Sequence, residues 1–295
     1  DAIAAYLSYG YVPDTQCIFQ NVRKVPPGHV TSLSLVHAID KNQPFERFSD
    51  LLDEGLASRS PNSLETLDHL ETTLGQVVEE QMLSDVPLGC FLSGGVDSSL
   101  IASLMQSRSG KPIRTFAIGF SEARFNEAPH AAAVAQHLQT DHSEFILSEQ
   151  DALSIIPDLP EIYDEPFADS SQIPTVLLCR EARKSVTVAL TGDGGDEVFG
   201  GYNRYVIGPK LLSRMKRVPH GLRRSTGRIV SACAPTITQE NEWLRRFTSR
   251  MRLPVTALDK AAKLATYLVE INDLPTLYQH FTRIIHDPEH LLREA

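Results

Sequence analysis

Between Leu88 and Thr191 the chain alternates short apolar runs with segments of helical periodicity, and this alternation limits the fold more than any other feature. Leu88–Leu92 reads as a strand, followed by a helix with Leu100, Ile101, Leu104 and Met105 on one face that ends at Gly110. Arg114–Gly119 is the next strand, Ala128–Leu138 the next helix and Ser143–Leu147 a third strand. A helix over Gln172–Lys184 then leads into a fourth strand, Val186–Thr191. Strands that alternate with helices pair in parallel, because each crossover returns the chain to the edge it left. The expected fold class is α/β, a parallel sheet with helices on both faces, followed by a helical C-terminal part. Beyond Tyr202 the pattern is mostly helical, with the best amphipathic stretch at Val255–Ile271.

Upstream, turn residues cluster at Val12–Asp14 and at Lys24–His29, and the apolar run His29–Leu35 suggests a strand. Ser58–Ser63 reads as a linker or helix entry. From there Leu64, Leu67, Leu70, Leu74, Val77, Val78 and Met82 follow helical spacing, with Ser63, Glu65 and Thr66 available to cap the start. The 295 residues are 42% apolar with a net charge of −9, which excludes a disordered chain. No stretch approaches the ~20 apolar residues of a membrane helix, and Asp1-Ala2-Ile3 does not begin a signal peptide. Cys17, Cys90, Cys179 and Cys233 lie far apart without a CxxC and read as reduced thiols of a cytoplasmic protein. The ten histidines, His130, His137 and His142 among them, show no metal-ligand spacing. From Asn203 to Arg228 there are basic residues and no acids: Arg204, Lys210, Arg214, Lys216, Arg217, Arg223, Arg224 and Arg228. This run is either a solvated helical face or a phosphate-facing patch; the acidic overall balance argues against a nucleic-acid partner.

Three segments carry chemistry. In the first, Ser93-Gly94-Gly95-Val96-Asp97-Ser98-Ser99 falls at a strand-to-helix turn. Its glycines let backbone amides close on an anion, the helix start adds further N–H donors, and Asp97 can hold Mg²⁺ among phosphate oxygens. GxxxxGK[ST] is absent, so this is a different phosphate loop. The second, Thr191-Gly192-Asp193-Gly194-Gly195-Asp196-Glu197, leaves the last strand. Asp196 lies 99 residues after Asp97, so two carboxylates arrive from different strand ends, a plausible Mg²⁺–polyphosphate site. Taken alone, this loop also suits calcium or a plain surface turn. The third, Tyr163–Gln172, places Asp164, Glu165 and Ser170 before a helix, where they can hold a small substrate, although ordinary capping explains Asp169 to Ser171 as well.

The runs VPLGCFLSGGVDSS at Val86–Ser99, TFAIGF at Thr115–Phe120, DEPFADSSQIPT at Asp164–Thr175 and TGDGGDEVFGGYNRY at Thr191–Tyr205 resemble the synthetase domain of glutamine-dependent asparagine synthetases. YGYVPDTQCIF and KVPPGH resemble the end of that family's glutaminase domain and the junction after it. The resemblance implies an ATP-pyrophosphatase (adenine nucleotide alpha hydrolase-like) fold and ATP with Mg²⁺. The side-chain carboxylate of aspartate attacks the α-phosphorus, pyrophosphate leaves, and ammonia derived from glutamine displaces AMP to give asparagine. By motif position, Ser93, Gly94, Gly95, Asp97 and Ser98 bind pyrophosphate; Leu92, Ile118, Thr191 and Gly192 hold adenosine; Asp97 and Asp196 carry the metal; and Asp193 is catalytic.

Asp193 stands where many relatives carry Glu, one methylene longer, and Asp is familiar in branches tied to polysaccharide and cell-envelope biosynthesis. The resemblance also implies an N-terminal nucleophilic cysteine, where this chain begins with Asp1. A downstream lysine is expected too; Lys210, Lys260 and Lys263 lack its motif context. The chain therefore reads as a fragment: residues 1–62 the end of a glutaminase domain and junction, 63–205 the ATP-pyrophosphatase core, 206–295 a truncated helical part. Expected partners are aspartate and ammonia, with no nucleic acid and no membrane, and a homodimer left open. The alternatives are a related amidotransferase or β-lactam-type synthetase acting on another carboxylate such as a sugar acid, or a non-catalytic ATP-binding module.

Overall fold

The computed structural model describes residues 2–34, 41–58, 64–122, 126–219, 221–227, 267 and 269–293. In chain order the elements begin α1 (Ala2–Tyr9), β1 (His29–Ser32), β2 (Lys41–Pro44), α2 (Phe48–Ala57) and α3 (Leu64–Gln81). Next come β3 (Leu88–Phe91), α4 (Val96–Arg108), β4 (Arg114–Phe120), α5 (Ala128–Leu138) and β5 (Asp141–Leu147). After α6 (Glu149–Ile155) come a single 3₁₀ turn and α7 (Leu159–Ile162), followed by α8 (Gln172–Ala182), β6 (Val188–Leu190), α9 (Gly195–Phe199) and α10 (Asn203–Lys216). The last described helices are α11 (Leu274–Thr282) and α12 (Pro288–Arg293). Ser63, the linker residues 59–63, most of Val255–Ile271, Arg228, Cys233, Lys260 and Lys263 lie outside the described residues.

Apolar runs become strands here because both faces of the sheet are covered. The strands stand in the order β5-β4-β3-β6 and every pairing is parallel, with Cys90 opposite Thr115 on one side and Leu190 on the other. Successive side chains point to opposite faces. Leu88, Cys90, Leu92, Ala117 and Leu190 pack with Val78 of α3, Ala102, Leu104 and Met105 of α4, and Ala131 and Ala135 of α5. Phe91, Phe116 and Phe145 meet Leu178 and Ala182 of α8 with Val186 on the other face. Val186 was expected within the last strand, yet that strand begins at Val188; Val186 is buried as a turn residue instead. Only the C-terminal half of α3 joins this core, through Leu74, Val78 and Met82, while Leu64 is 80% exposed. β1 and β2 form a separate antiparallel hairpin, shorter than the apolar run His29–Leu35 suggests.

The chain divides into two compact units, Asp1–Asp196 and Glu197–Ala295. The four-stranded sheet belongs to the first. In the second, Leu212 and Met215 of α10 pack with Ile271 and Leu277, Leu277 being on α11. Among the described residues no helix is long and apolar enough to cross a membrane. Burial pushes the Cys90 thiol up to about 12, so it stays protonated and inert.

At the start of β4 the wholly buried Thr115 hydroxyl contacts Thr140 Oγ1 at 2.8 Å and His142 Nδ1 at 2.9 Å. Burial holds the His142 pKa below the ordinary histidine value, against a smaller opposing pull from Glu144. The folded state therefore resists a proton that the unfolded chain accepts. Above about pH 6.5 both states are neutral and the residue contributes no pH dependence; below it, stability falls as the unfolded chain takes up the proton. Urea midpoints measured from pH 7.5 to 5.5 should decline more steeply in the parent protein than in His142→Gln.

Candidate functional site

Strand order sets the site. The chain moves outward from β3 to β4 and β5, then returns to place β6 on the other side of β3. Loops leaving β3 and β6 therefore emerge side by side at the carboxyl ends of the strands, the edge where open α/β sheets bind ligands. Both Gly-rich segments emerge there: Ser93–Gly95 runs from β3 into α4, and Thr191–Gly194 runs from β6 into α9.

The first loop is knitted by its own hydroxyls. Ser98 Oγ lies 2.9 Å from Ser93 Oγ and accepts from the Ser93 amide at 3.2 Å, while the Gly95 amide donates to Ser93 Oγ at 3.3 Å. Gly94 has φ +81°, and a side chain there would meet His130 Cβ at 2.6 Å and the Ala131 amide nitrogen at 2.7 Å. The loop thus lies directly against the start of α5, while its own C-terminal end begins α4. First-turn amides of a helix lack intrahelical acceptors, and both helix starts face the same edge of the sheet.

The second loop rests on the first. A Cβ on Gly192 would stand 2.6 Å from the Ser98 nitrogen and 2.8 Å from the Asp97 carbonyl carbon. One on Gly195 would fall 2.7 Å from Asp97 Cγ and about as close to both carboxylate oxygens. The Asp193 amide donates to Thr191 Oγ1 at 3.2 Å, and the Asp193 side chain is exposed. The chain immediately before Asp196 is thereby brought against the Asp97 carboxylate. Among the described residues no group of three or more acidic, histidine or cysteine side chains is arranged for a metal. The hard carboxylate oxygens of Asp97 and Asp196 nevertheless suit Mg²⁺, and these are the residues that would hold it.

Register places the expected adenosine residues at one level. Phe91 pairs with Phe116, and Leu92 donates its amide to Phe116 O at 2.8 Å, which sets Ile118 beside Ser93. Leu190 pairs with Cys90, so Thr191 and Gly192 continue alongside Phe91 and Leu92. Leu92 is only 2% exposed and its side chain belongs to the core, so what it offers a ligand is backbone. Ile118, Thr191 and Gly192 are half-buried.

The third segment reaches the same edge by way of α8. Arg114 Nη1 donates to Ser185 O at 2.7 Å and the Thr187 amide to Pro87 O at 2.8 Å, so the C-terminal end of α8 lies where β3 and β4 begin. The helix has 11 residues, spans about 16 Å, and packs Leu178 on the phenylalanines of the sheet. Its N-terminal end, with residues 163–171 before it, therefore lies toward the carboxyl edge. Asp164 and Ser170 are exposed there. Glu165 is engaged already: the Ile18 amide donates to Oε1 at 2.7 Å and Lys24 Nζ pairs with Oε2. Burial pushes the Glu165 carboxyl up, but hydrogen bonds from Lys24, the Ile18 amide and Cys17 outweigh it and hold the group below the usual carboxylate range. Lys24, Ile18 and His130 have no local signature that marks them as neighbours of these loops.

The two glycines of the second loop differ in their tolerance. Gly192→Ala forces backbone apart and should cost about 1–3 kcal/mol, by analogy with overpacking. Gly194 has φ +88° with open space around it, so Gly194→Asn should cost about 1 kcal/mol or less, because asparagine adopts left-handed backbone more readily than other side chains. Urea midpoints of the two variants should fall in that order.

The family model for asparagine synthase matches residues 69–285. A Methanocaldococcus jannaschii protein bearing an asparagine synthetase name is 34% identical over 224 residues, 76% of this chain and 42% of that protein. Asparagine synthetase [glutamine-hydrolyzing] 1 of Bacillus subtilis is 31% identical over 76% of this chain and 34% of its own length. Asparagine synthetase [glutamine-hydrolyzing] of Triphysaria versicolor is 31% identical over 62% of this chain and 31% of its own. The chain thus spans between about a third and two fifths of these relatives. Among solved structures, an NH3-dependent NAD synthetase of Campylobacter jejuni aligns with 70% of this chain and 97% of its own at 12% identity and a TM-score of 0.33, too low to bear on the fold. Four motifs in order, a parallel sheet that brings two of them into contact, and a family match over most of the chain lead to one assignment: the chain belongs to the asparagine synthase family.

Proposed function

We propose that this chain is the synthetase part of a glutamine-hydrolysing asparagine synthetase, which activates the side-chain carboxylate of aspartate with ATP and passes it to ammonia. The observation that carries the reading is the contact of Gly192 and Gly195 with the first turn of α4 at Asp97 and Ser98. It supports a site in which backbone amides and hydroxyls from Ser93, Gly94, Gly95 and Ser98 grip pyrophosphate, while Leu92, Ile118, Thr191 and Gly192 line the adenosine. Asp97 and Asp196 are the residues that would hold Mg²⁺, which supplies charge neutralisation on the phosphate oxygens. Holding the β- and γ-phosphates leaves the α-phosphorus as the electrophile and makes pyrophosphate the leaving group. Asp193, exposed on the same loop, is the catalytic candidate, with Asp164 and Ser170 as weaker candidates for holding the substrate, Glu165 being already engaged by the Ile18 amide and Lys24. Ammonia comes from glutamine through a glutaminase region outside this chain, and the protein works in the cytoplasm.

The test is pyrophosphate and AMP release by the full-length protein with ATP, Mg²⁺ and aspartate, with ammonia or glutamine. Asp97→Ala should lower the rate at least about 100-fold, as expected on losing one preorganised charged group. ATP binding without aspartate-dependent release would move the reading to another acceptor, sugar acids first, since Asp193 is one methylene shorter than glutamate. ATP binding without AMP formation from any carboxylate would leave a non-catalytic module.

A further inference from the structure

The carboxylate of Glu165 accepts from the Ile18 amide and pairs with Lys24, and both side chains of the pair are largely covered, 18% and 28% exposed. Lys24 also donates to Val12 O at 2.8 Å and Pro13 O at 3.4 Å, so one ammonium gathers a turn of the N-terminal segment around Glu165. Three residues further on, the Ala168 amide donates to Gly10 O at 2.7 Å. From the other side Gln172 Nε2 donates to Phe167 O at 2.9 Å, and the Ser171 amide donates to Asp169 Oδ1 at 2.8 Å. Residues 165–171 are thus held at short intervals, three of these five attachments coming from a segment about 150 residues earlier in the chain.

We infer that the Lys24–Glu165 pair is a positioning strut: it sets the 163–171 loop at the carboxyl edge of the sheet and so determines affinity for the acceptor carboxylate without touching it. A carboxylate with each oxygen already engaged, one by the Ile18 amide and one by the Lys24 ammonium, is poorly placed to bind a further anion. What it supplies is a fixed backbone between Asp164 and Ser170, and a site fixed in advance binds more tightly because less ordering is left to the moment of binding. The nucleotide loops are held by separate contacts, Gly192 on α4 and Gly94 on α5. Acceptor and nucleotide affinities should therefore separate when the strut is cut. This inference rests on the proposed ATP-dependent reading for its kinetic arm and on geometry alone for its structural arm.

The test uses full-length protein carrying Lys24→Met, Lys24→Arg, Glu165→Gln, or Lys24→Met with Glu165→Gln. Steady-state kinetics should show KM for the acceptor raised about tenfold by Lys24→Met and by Glu165→Gln, with KM for ATP within about twofold of the parent. The double variant should be no worse than the poorer single one, because both remove the same interaction, and Lys24→Arg should restore most of the affinity. Glu165→Gln keeps shape and acceptor oxygen if Lys24→Met does not fold. Equal changes in both KM values, or an effect of Glu165→Gln without one of Lys24→Met, would overturn the strut, the latter by making Glu165 a direct ligand. Amide hydrogen exchange separates this inference from the reading beneath it. Faster exchange over 163–171 in Lys24→Met, with β3 and β4 unchanged, supports the strut even if the parent releases no AMP with any carboxylate. Unchanged exchange there overturns it whatever the parent's activity.

Discussion

The approach of the Gly192 backbone to the first turn of α4 is the contact on which the site depends. With no room for a Cβ between Gly192 and the Ser98 nitrogen, the loop leaving β6 can lie flat against the helix that leaves β3. Parallel pairing of β3 with β6 makes that approach available, since Leu88, Gly89 and Cys90 stand opposite Val188, Ala189 and Leu190 and β3 runs only one residue beyond β6. A bulkier residue would force the two loops apart, and the Gly195 backbone would leave the Asp97 carboxylate with them. The meeting of the two loops is therefore a consequence of sheet order first and of glycine second.

Electrostatics makes the same arrangement self-consistent. Asp97 stands in the first turn of α4, where the positive end of a helix dipole favours a carboxylate. Those amides also favour phosphate. A carboxylate and a phosphate beside one helix start repel unless a cation lies between them, and Asp196 adds a second negative charge to the demand. In the proposed site Mg²⁺ would be that cation. This pairing gives the proposed ATP chemistry a physical basis beyond resemblance of motifs.

Much of the sheet was legible because buried parallel strands are written as apolar runs and their crossover helices as periodic ones. Arg114–Gly119 corresponds to β4 with one more residue, and Ala128–Leu138 has the bounds of α5. Signals faded wherever burial is one-sided or missing. β2 is Lys-Asn-Gln-Pro and fully exposed, so no alternation marks it. β5 begins at polar Asp141 and His142, because an edge strand can pair through its backbone without burying its first side chains. Leu64 and Leu67 keep helical spacing yet face solvent, since spacing encodes a stripe and not what covers it. At the site, glycines and acids at strand ends were readable because their chemistry is local. The tie between Lys24 and Glu165 was not, because two charges 141 residues apart carry no common pattern until the fold brings them together.

The two halves of the proposed site are consequently built from different materials. The nucleotide half consists of backbone: helix starts, glycines without side chains, a loop closed by serine hydroxyls on its own amides. Such a half is indifferent to most side chains around it. The acceptor half consists of side chains on exposed loops, Asp193 on one and Asp164 to Ser170 on another, the second steadied by an ion pair from far up the chain. One methylene more or less at residue 193 alters reach toward an acceptor without altering the Thr191 hydrogen bond or the Gly192 contact beneath it. On the proposed reading, a scaffold of this kind would change which carboxylate it activates while keeping its grip on the phosphates, the choice of acceptor being decided on the loops and not in the sheet.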